Sequence, residues 1–252
     1  MGFVTRFAGK NRRMRKRLHF RQRLVRSLHI IPNLFTLGNA FFGFCSIILA
    51  AHGNIVGAAY FILMGALMDG LDGRVARFMK ISSDFGTQLD SLCDTVTFCL
   101  APSILLYFWE LKKLGVLGVV IAGMFLLSGI LRLARFNITH DEQFIISTGV
   151  TTTVAACFVA SLALTLHEYL FLLHEQFALL ALVLALSWLM VSTVPFPTFK
   201  ELSRTATGIS IGIGLAFIIT MGLTTVLLYA FIAYFLYSLG RAIAIKIRTP
   251  KA

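Results

Sequence analysis

Four aspartates carry the chemistry that this 252-residue sequence offers. Asp69 and Asp72 stand at i,i+3 and Asp90 and Asp94 at i,i+4, so on helices each pair projects from one face. The stretch between the pairs, with Lys80, Ser82, Ser83 and Asp84, is short and polar. It predicts two antiparallel helices whose acidic faces meet at one end of a bundle, with Asp84 left in the connecting loop. Inserting one Asp at the centre of a membrane helix costs about 2.5–3.5 kcal/mol, and like charges add repulsion. A cation offsets that cost. Convergent oxygen ligands without a His or Cys cluster point to a hard divalent ion, Mg2+ or Mn2+. Two such ions clamping a phosphoryl group would use Asp69, Asp72, Asp90 and Asp94 together. Gly73 and Gly86 remove side chains where a bulky anionic ligand approaches the backbone, and Arg77, one turn past Gly73, can pair with a phosphate. The competing readings are loop charges or an ion pathway. They suit an isolated intramembrane Asp better than paired registers interleaved with Gly and Arg.

The rest of the sequence must position these residues, and its composition says how. The chain is 58% hydrophobic and 13% charged, with mean hydropathy +0.84. Soluble domains carry about 25% charge. A secreted disulfide-stapled, disordered or ordinary soluble protein is therefore excluded. Of 11 acids, five fall between Asp69 and Asp94. Apolar runs long enough for a bilayer core of about 30 Å predict an all-α, polytopic transmembrane bundle of about eight spans. These lie near residues 34–51, 55–78, 90–109, 114–136, 148–167, 176–195, 207–221 and 224–243.

Charge sets the expected topology. Ten of the 23 basic residues precede Pro32, with no acid among them. This tail reads as a cytoplasmic anchor on anionic lipid rather than a nucleic-acid module. From Phe20, an apolar stripe through Leu24, Leu28 and Ile31 beside Arg21, Arg23 and Arg26 predicts an interfacial amphipathic helix ended by Pro32; residues 1–17 read equally well as a disordered basic tail. With the N-terminus inside, the cytoplasmic side receives Arg74, Arg77, Lys80, Arg132, Arg135, Lys200, Arg204 and the basic C-terminus. The other side receives Lys112 and Lys113 beside Glu110. Both termini and the acidic site are expected to face the cytoplasm, in a bacterial-type inner membrane, with no cleaved signal peptide. Cys45, Cys93, Cys99 and Cys157 lie in apolar runs without metal-type spacing and read as buried, reduced thiols. The six histidines fall mainly in loops and flanks, without ligand spacing between them.

At the acidic stretch the sequence resembles the CDP-alcohol phosphatidyltransferase family. The family pattern Asp-x2-Asp-Gly-x2-Ala-Arg-x8-Gly-x3-Asp-x3-Asp is filled at Asp69, Asp72, Gly73, Ala76, Arg77, Gly86, Asp90 and Asp94. The resemblance implies that Asp69, Asp72 and Asp90 hold metal, and that Asp94 binds metal or takes the alcohol's proton. It also implies that Gly73, Ala76 and Arg77 lie along a CDP moiety. Three further stretches, Ile31–Gly43, Leu131–Asn137 and Leu189–Lys200, resemble the serine-using, type II branch of that family. Pro32, Asn33, Thr36 and Asn39 are the positions matched to nucleotide contact. One stretch departs: Phe144–Thr153 keeps a glycine, Gly149, but lacks the proline that often follows.

Charge, hydropathy and the resemblance together divide the chain into three segments. They are a basic tail and interfacial helix over 1–32, a phosphatidyltransferase membrane domain over 33–245 and a basic tail over 246–252. The resemblance implies transfer of a phosphatidyl group from CDP-diacylglycerol to L-serine with release of CMP, in a homodimer among membrane lipids. Arg132, Arg135, Asn137 and Lys200 are candidates for the acceptor carboxylate or the lipid phosphate, beside the alternative of snorkelling flank residues. Rival readings are the same transfer to glycerol 3-phosphate or inositol phosphate, a membrane prenyltransferase, and an ion-coupled transporter.

Overall fold

The computed structural model describes residues 30–79, 84–139, 149–166, 176–192, 229–237 and 240. The expected interfacial helix before Ile30, the span over 207–221, Lys200 and the basic C-terminal tail lie outside them. Within the described residues the chain is helical throughout: α1 Ile30–Ala51, α2 Ile55–Met79, α3 Asp84–Asp94, α4 Ala101–Trp109, α5 Val116–Thr139, α6 Thr152–Leu166 and α7 Gln176–Val191. Residues 229–237 are also helical.

Helix α1 shows why these helices belong in lipid. Its buried positions are Pro32, Thr36, Asn39, Gly43, Ser46 and Ala50, whereas Leu34, Leu37, Phe41, Phe44 and Ile48 are exposed. The spacing of the buried set is helical, but its polarity is inverted: small and polar residues face inward and large apolar ones outward. Small residues let backbones approach, and buried hydroxyls find partners across helices. Ser46 Oγ donates to the Ala58 carbonyl of α2 at 2.8 Å. Among the described residues, four segments are long and apolar enough to cross a bilayer: Pro32–Ala51, Ile55–Val75, Phe85–Trp109 and Val116–Ile138. Helices α6 and α7 are shorter apolar helices. The Ala-rich α6 is buried along most of its length.

Helices α1 and α2 form an antiparallel hairpin in which Asn54 caps α2, its Oδ1 accepting from the Gly57 N–H at 2.8 Å. Hairpin geometry returns α2 to the end at which α1 began, so Asn39 and the Asp69/Asp72 pair share one end of the bundle. Two expectations need correction here. No helix ends at Pro32, because α1 runs unbroken through it from Ile30 to Ala51. Asp84 is not a loop residue, because its backbone belongs to α3.

The third span is not one regular helix. Between α3 and α4 a π-helical stretch runs over Thr95–Leu100, and the Ala101 N–H bonds to the Val96 carbonyl five residues back. Pro102 supplies the cause. It has no N–H, and its ring crowds the carbonyl four residues earlier, here Phe98, so the ladder slips by one residue. Thr97, Phe98 and Cys99 in this stretch are fully buried, packed among α1, α2, α5 and α6.

The glycine of the departing stretch is a joint. Gly149 has φ +78°, and a Cβ there would stand 2.8 Å from the Met190 carbonyl oxygen. The next residue, Val150, donates its N–H to the Leu189 carbonyl at 3.3 Å. Gly149→Ala should therefore lower stability by about 1–3 kcal/mol, the cost of a strained backbone conformation. Thermal unfolding in detergent checks this; an unchanged Tm would show that the joint yields freely.

Candidate active site

Helices α2 and α3 bring the acidic faces together. One carboxylate oxygen from each of Asp69, Asp72 and Asp90 lies within 4.8 Å of the others. Asp72 is 6% exposed, and its Oδ2 is buried without a hydrogen-bond partner among the described residues. A buried anionic oxygen left without a donor is costly. The triplet thus presents hard oxygen donors and one unmet demand for positive charge. These features fit a divalent cation held by Asp69, Asp72 and Asp90.

The fourth aspartate, Asp94, has Asp69, Asp90 and Asp72 as electrostatic neighbours. Asp94 Oδ1 accepts a hydrogen bond from Asn39 Nδ2 of α1 at 3.0 Å. Asn39 is fully buried, so α1 contributes to the acidic site through a neutral donor. Thr36, one turn earlier, donates to the Pro32 carbonyl at 3.1 Å and stands beside Asp72. On α2, a Cβ added at Gly73 would meet nothing within 4 Å. Among the described residues, space beside a buried acid is therefore open at Gly73. Pro32 is buried, whereas Asn33 and Gly86 are half-buried near the starts of α1 and α3. Ala76 and Arg77 continue α2 one turn beyond Gly73; their side chains lie outside the described set.

The basic and polar candidates separate. Arg132 of α5 is 9% exposed, and its Nε is buried without a partner among the described residues. Its electrostatic neighbours are Cys99, Asp94 and Tyr234. Arg135 Nη1 instead donates to the Val191 carbonyl at 3.1 Å, at the end of α7 where carbonyls lack intrahelical donors. Asn137 and Ser91 bond to each other, with Oγ–Oδ1 at 3.1 Å and Nδ2–Oγ at 3.0 Å, which ties α5 to α3 beside Asp90. Sequence spacing identified the carboxylates, but it did not reveal Ser91, the Asn39–Asp94 bond or the π turn that follows Asp94. The signal for the last was Pro102 inside an apolar run.

Apolar spans that gather three carboxylates, one with a buried oxygen unpartnered among the described residues, define an integral membrane protein with a cluster suited to a hard cation. The sequence profile of the CDP-alcohol phosphatidyltransferase family matches residues 29–196, and the chain belongs to that family. It is 36% identical over 181 residues to the CDP-diacylglycerol–serine O-phosphatidyltransferase of Helicobacter pylori (strain ATCC 700392 / 26695), covering 70% of this chain and 76% of that one. The Bacillus subtilis (strain 168) enzyme of the same name is 35% identical over 176 residues, 69% of this chain and 93% of the relative. The archaetidylserine synthase of Methanothermobacter thermautotrophicus is 32% identical over 177 residues, covering 69% and 72%.

Proposed function

We propose that this protein transfers the phosphatidyl group of CDP-diacylglycerol to L-serine, giving phosphatidylserine and CMP. The observation that carries the proposal is the Asp69–Asp72–Asp90 triplet at the motif positions of a family whose similar members are named for that transfer. In the reaction the serine hydroxyl oxygen attacks the lipid-side phosphorus. A new P–O bond forms, the P–O bond to CMP breaks, and CMP leaves with the electron pair. The serine proton goes to Asp94. Asn39 occupies Asp94 Oδ1 and so leaves the second oxygen to face the hydroxyl.

Asp69, Asp72 and Asp90, with Asp94 completing the set, would hold Mg2+ or Mn2+, two ions in the full site. Bound there, the cation supplies positive charge against the phosphoryl oxygens and the departing CMP. Gly73, Gly86, Ala76 and Arg77 line the CDP path, with Pro32, Asn33, Thr36 and Asn39 on the α1 side. Arg132 is the acceptor-side cation with the best support, because its buried Nε has no partner among the described residues. Arg135, Asn137 and Lys200 complete the proposed acceptor and lipid-phosphate set; Arg135 and Asn137 act from the positions fixed by Val191 and Ser91. Eight spans, cytoplasmic termini, a site open to the cytoplasm and a homodimer belong to the same reading.

The test gives purified full-length protein CDP-diacylglycerol, Mn2+ and a panel of alcohols, and follows CMP release. Serine-dependent CMP is expected. Release with glycerol 3-phosphate but not serine would overturn the acceptor, and no release with any alcohol would overturn the enzyme.

A further inference from the structure

The π turn after Asp94 is built into the site by contacts that the motif does not contain. Thr97 Oγ1 donates to the backbone carbonyl of Asn39 at 2.9 Å, the residue whose amide holds Asp94. Two glycines admit Thr97 to this position. At Gly43 of α1, a Cβ would stand 2.5 Å from Thr97 Oγ1 and 2.8 Å from its Cα. At Gly65 of α2, a Cβ would stand 2.5 Å from Thr97 Cγ2 and 3.0 Å from Asn39 Oδ1. Real Cβ atoms do not approach that closely, so any larger residue at either position would push Thr97 or Asn39 away. Thr97 itself is fully buried, and the ladder slip caused by Pro102 sets its height relative to Asp94.

We propose that Thr97 is a positioning residue for phosphatidyl transfer. Seated in the Gly43–Gly65 socket, it anchors the third span to the Asn39 carbonyl and so holds Asp94 against the Asn39 amide. Thr97 does not touch substrate; it acts through Asn39. The inference rests on the proposed role of Asp94 and adds a residue outside the family motif. Its physical basis is that a carboxylate meant to meet a hydroxyl needs a fixed direction, and here one neutral hydrogen bond between spans supplies it. A carbonyl on α1 is rigid because its helix is. The hydroxyl of Thr97 therefore locks the third span to the first at the height where Asn39 and Asp94 meet.

The experiment compares Thr97→Ser with Thr97→Ala in the purified full-length protein, since these differ only by the hydroxyl. Asn39→Ala, the double variant Thr97→Ala/Asn39→Ala and Asp94→Asn are measured beside them. CMP release is followed over CDP-diacylglycerol and serine concentration. Thr97→Ala is expected to lose about tenfold or more in kcat, with KM for both substrates within about twofold of the parent, and Thr97→Ser to recover most of the loss. Because Thr97 acts through Asn39, adding Thr97→Ala to Asn39→Ala should cost far less than it does alone. Parental kcat in Thr97→Ala beside an inactive Asp94→Asn would overturn the inference and leave the reading of Asp94 intact. Additive losses in the double variant, or a Thr97→Ser as impaired as Thr97→Ala, would also overturn it. An active Asp94→Asn would overturn the underlying reading instead.

Discussion

Asp90→Asn should abolish CMP release while leaving a folded protein. Asn keeps the size and one oxygen of the side chain but removes its charge, so the half-buried position on α3 need not repack. The Asp69–Asp72–Asp90 triplet would lose one of three anions, and with it the charge that holds a cation against the phosphoryl group. Losing a single group that stabilises developing charge typically costs about 10²–10³-fold in kcat. A metal ligand shared with substrate should sit at or beyond that range. Gel filtration in detergent and a helical circular-dichroism spectrum establish the fold, and CMP release at saturating serine and Mn2+ gives the rate. The expected result is an intact particle with activity at background. An Asp90→Asn protein within tenfold of the parent would remove Asp90 from the site.

The sequence made this prediction available because carboxylates in an apolar chain are few and their registers are short-range. The i,i+3 and i,i+4 spacings survive any packing of the helices that bear them. What depends on packing was not legible. Nothing local pairs Asn39 with Asp94 or Arg135 with the Val191 carbonyl; both bonds join residues more than fifty positions apart, and they exist only once the spans have assembled. The polar neighbours of Asp84 suggest a loop, whereas its backbone is part of α3. The π turn was readable only in part. Pro102 announces a fault in the ladder, but the residue that exploits the fault, Thr97, is singled out by Gly43 and Gly65 on two other helices. Inverted burial on α1, with Asn39 inside and Phe41 outside, was likewise hidden, because hydropathy counts residues without saying which face meets lipid.

Divalent cation and charge removal should act on stability in opposite settings. Without a cation, ionised carboxylates within 4.8 Å of one another repel by roughly 3–4 kcal/mol per pair at an effective dielectric constant near 20. The buried Oδ2 of Asp72, unpartnered among the described residues, adds a desolvation cost. A cation that binds the folded site and not the unfolded chain stabilises by RT ln(1 + [L]/Kd), about 2.7 kcal/mol at a hundredfold excess over Kd. In a chain of this size that corresponds to a rise of about 5–10 °C in Tm. Parent protein in detergent should therefore melt higher with Mn2+ than with chelator. Asp72→Asn should melt above the parent in chelator, because a repelling charge is gone, yet gain little from Mn2+. The reversal of order on adding Mn2+ separates a site-bound ion from general screening, which would raise both proteins alike. Equal shifts in parent and variant, or none in either, would show that the triplet does not hold the cation. The same substitution should eliminate CMP release, so the variant more stable in chelator would be the inactive one, as expected where repelling charges are kept together for chemistry rather than for folding.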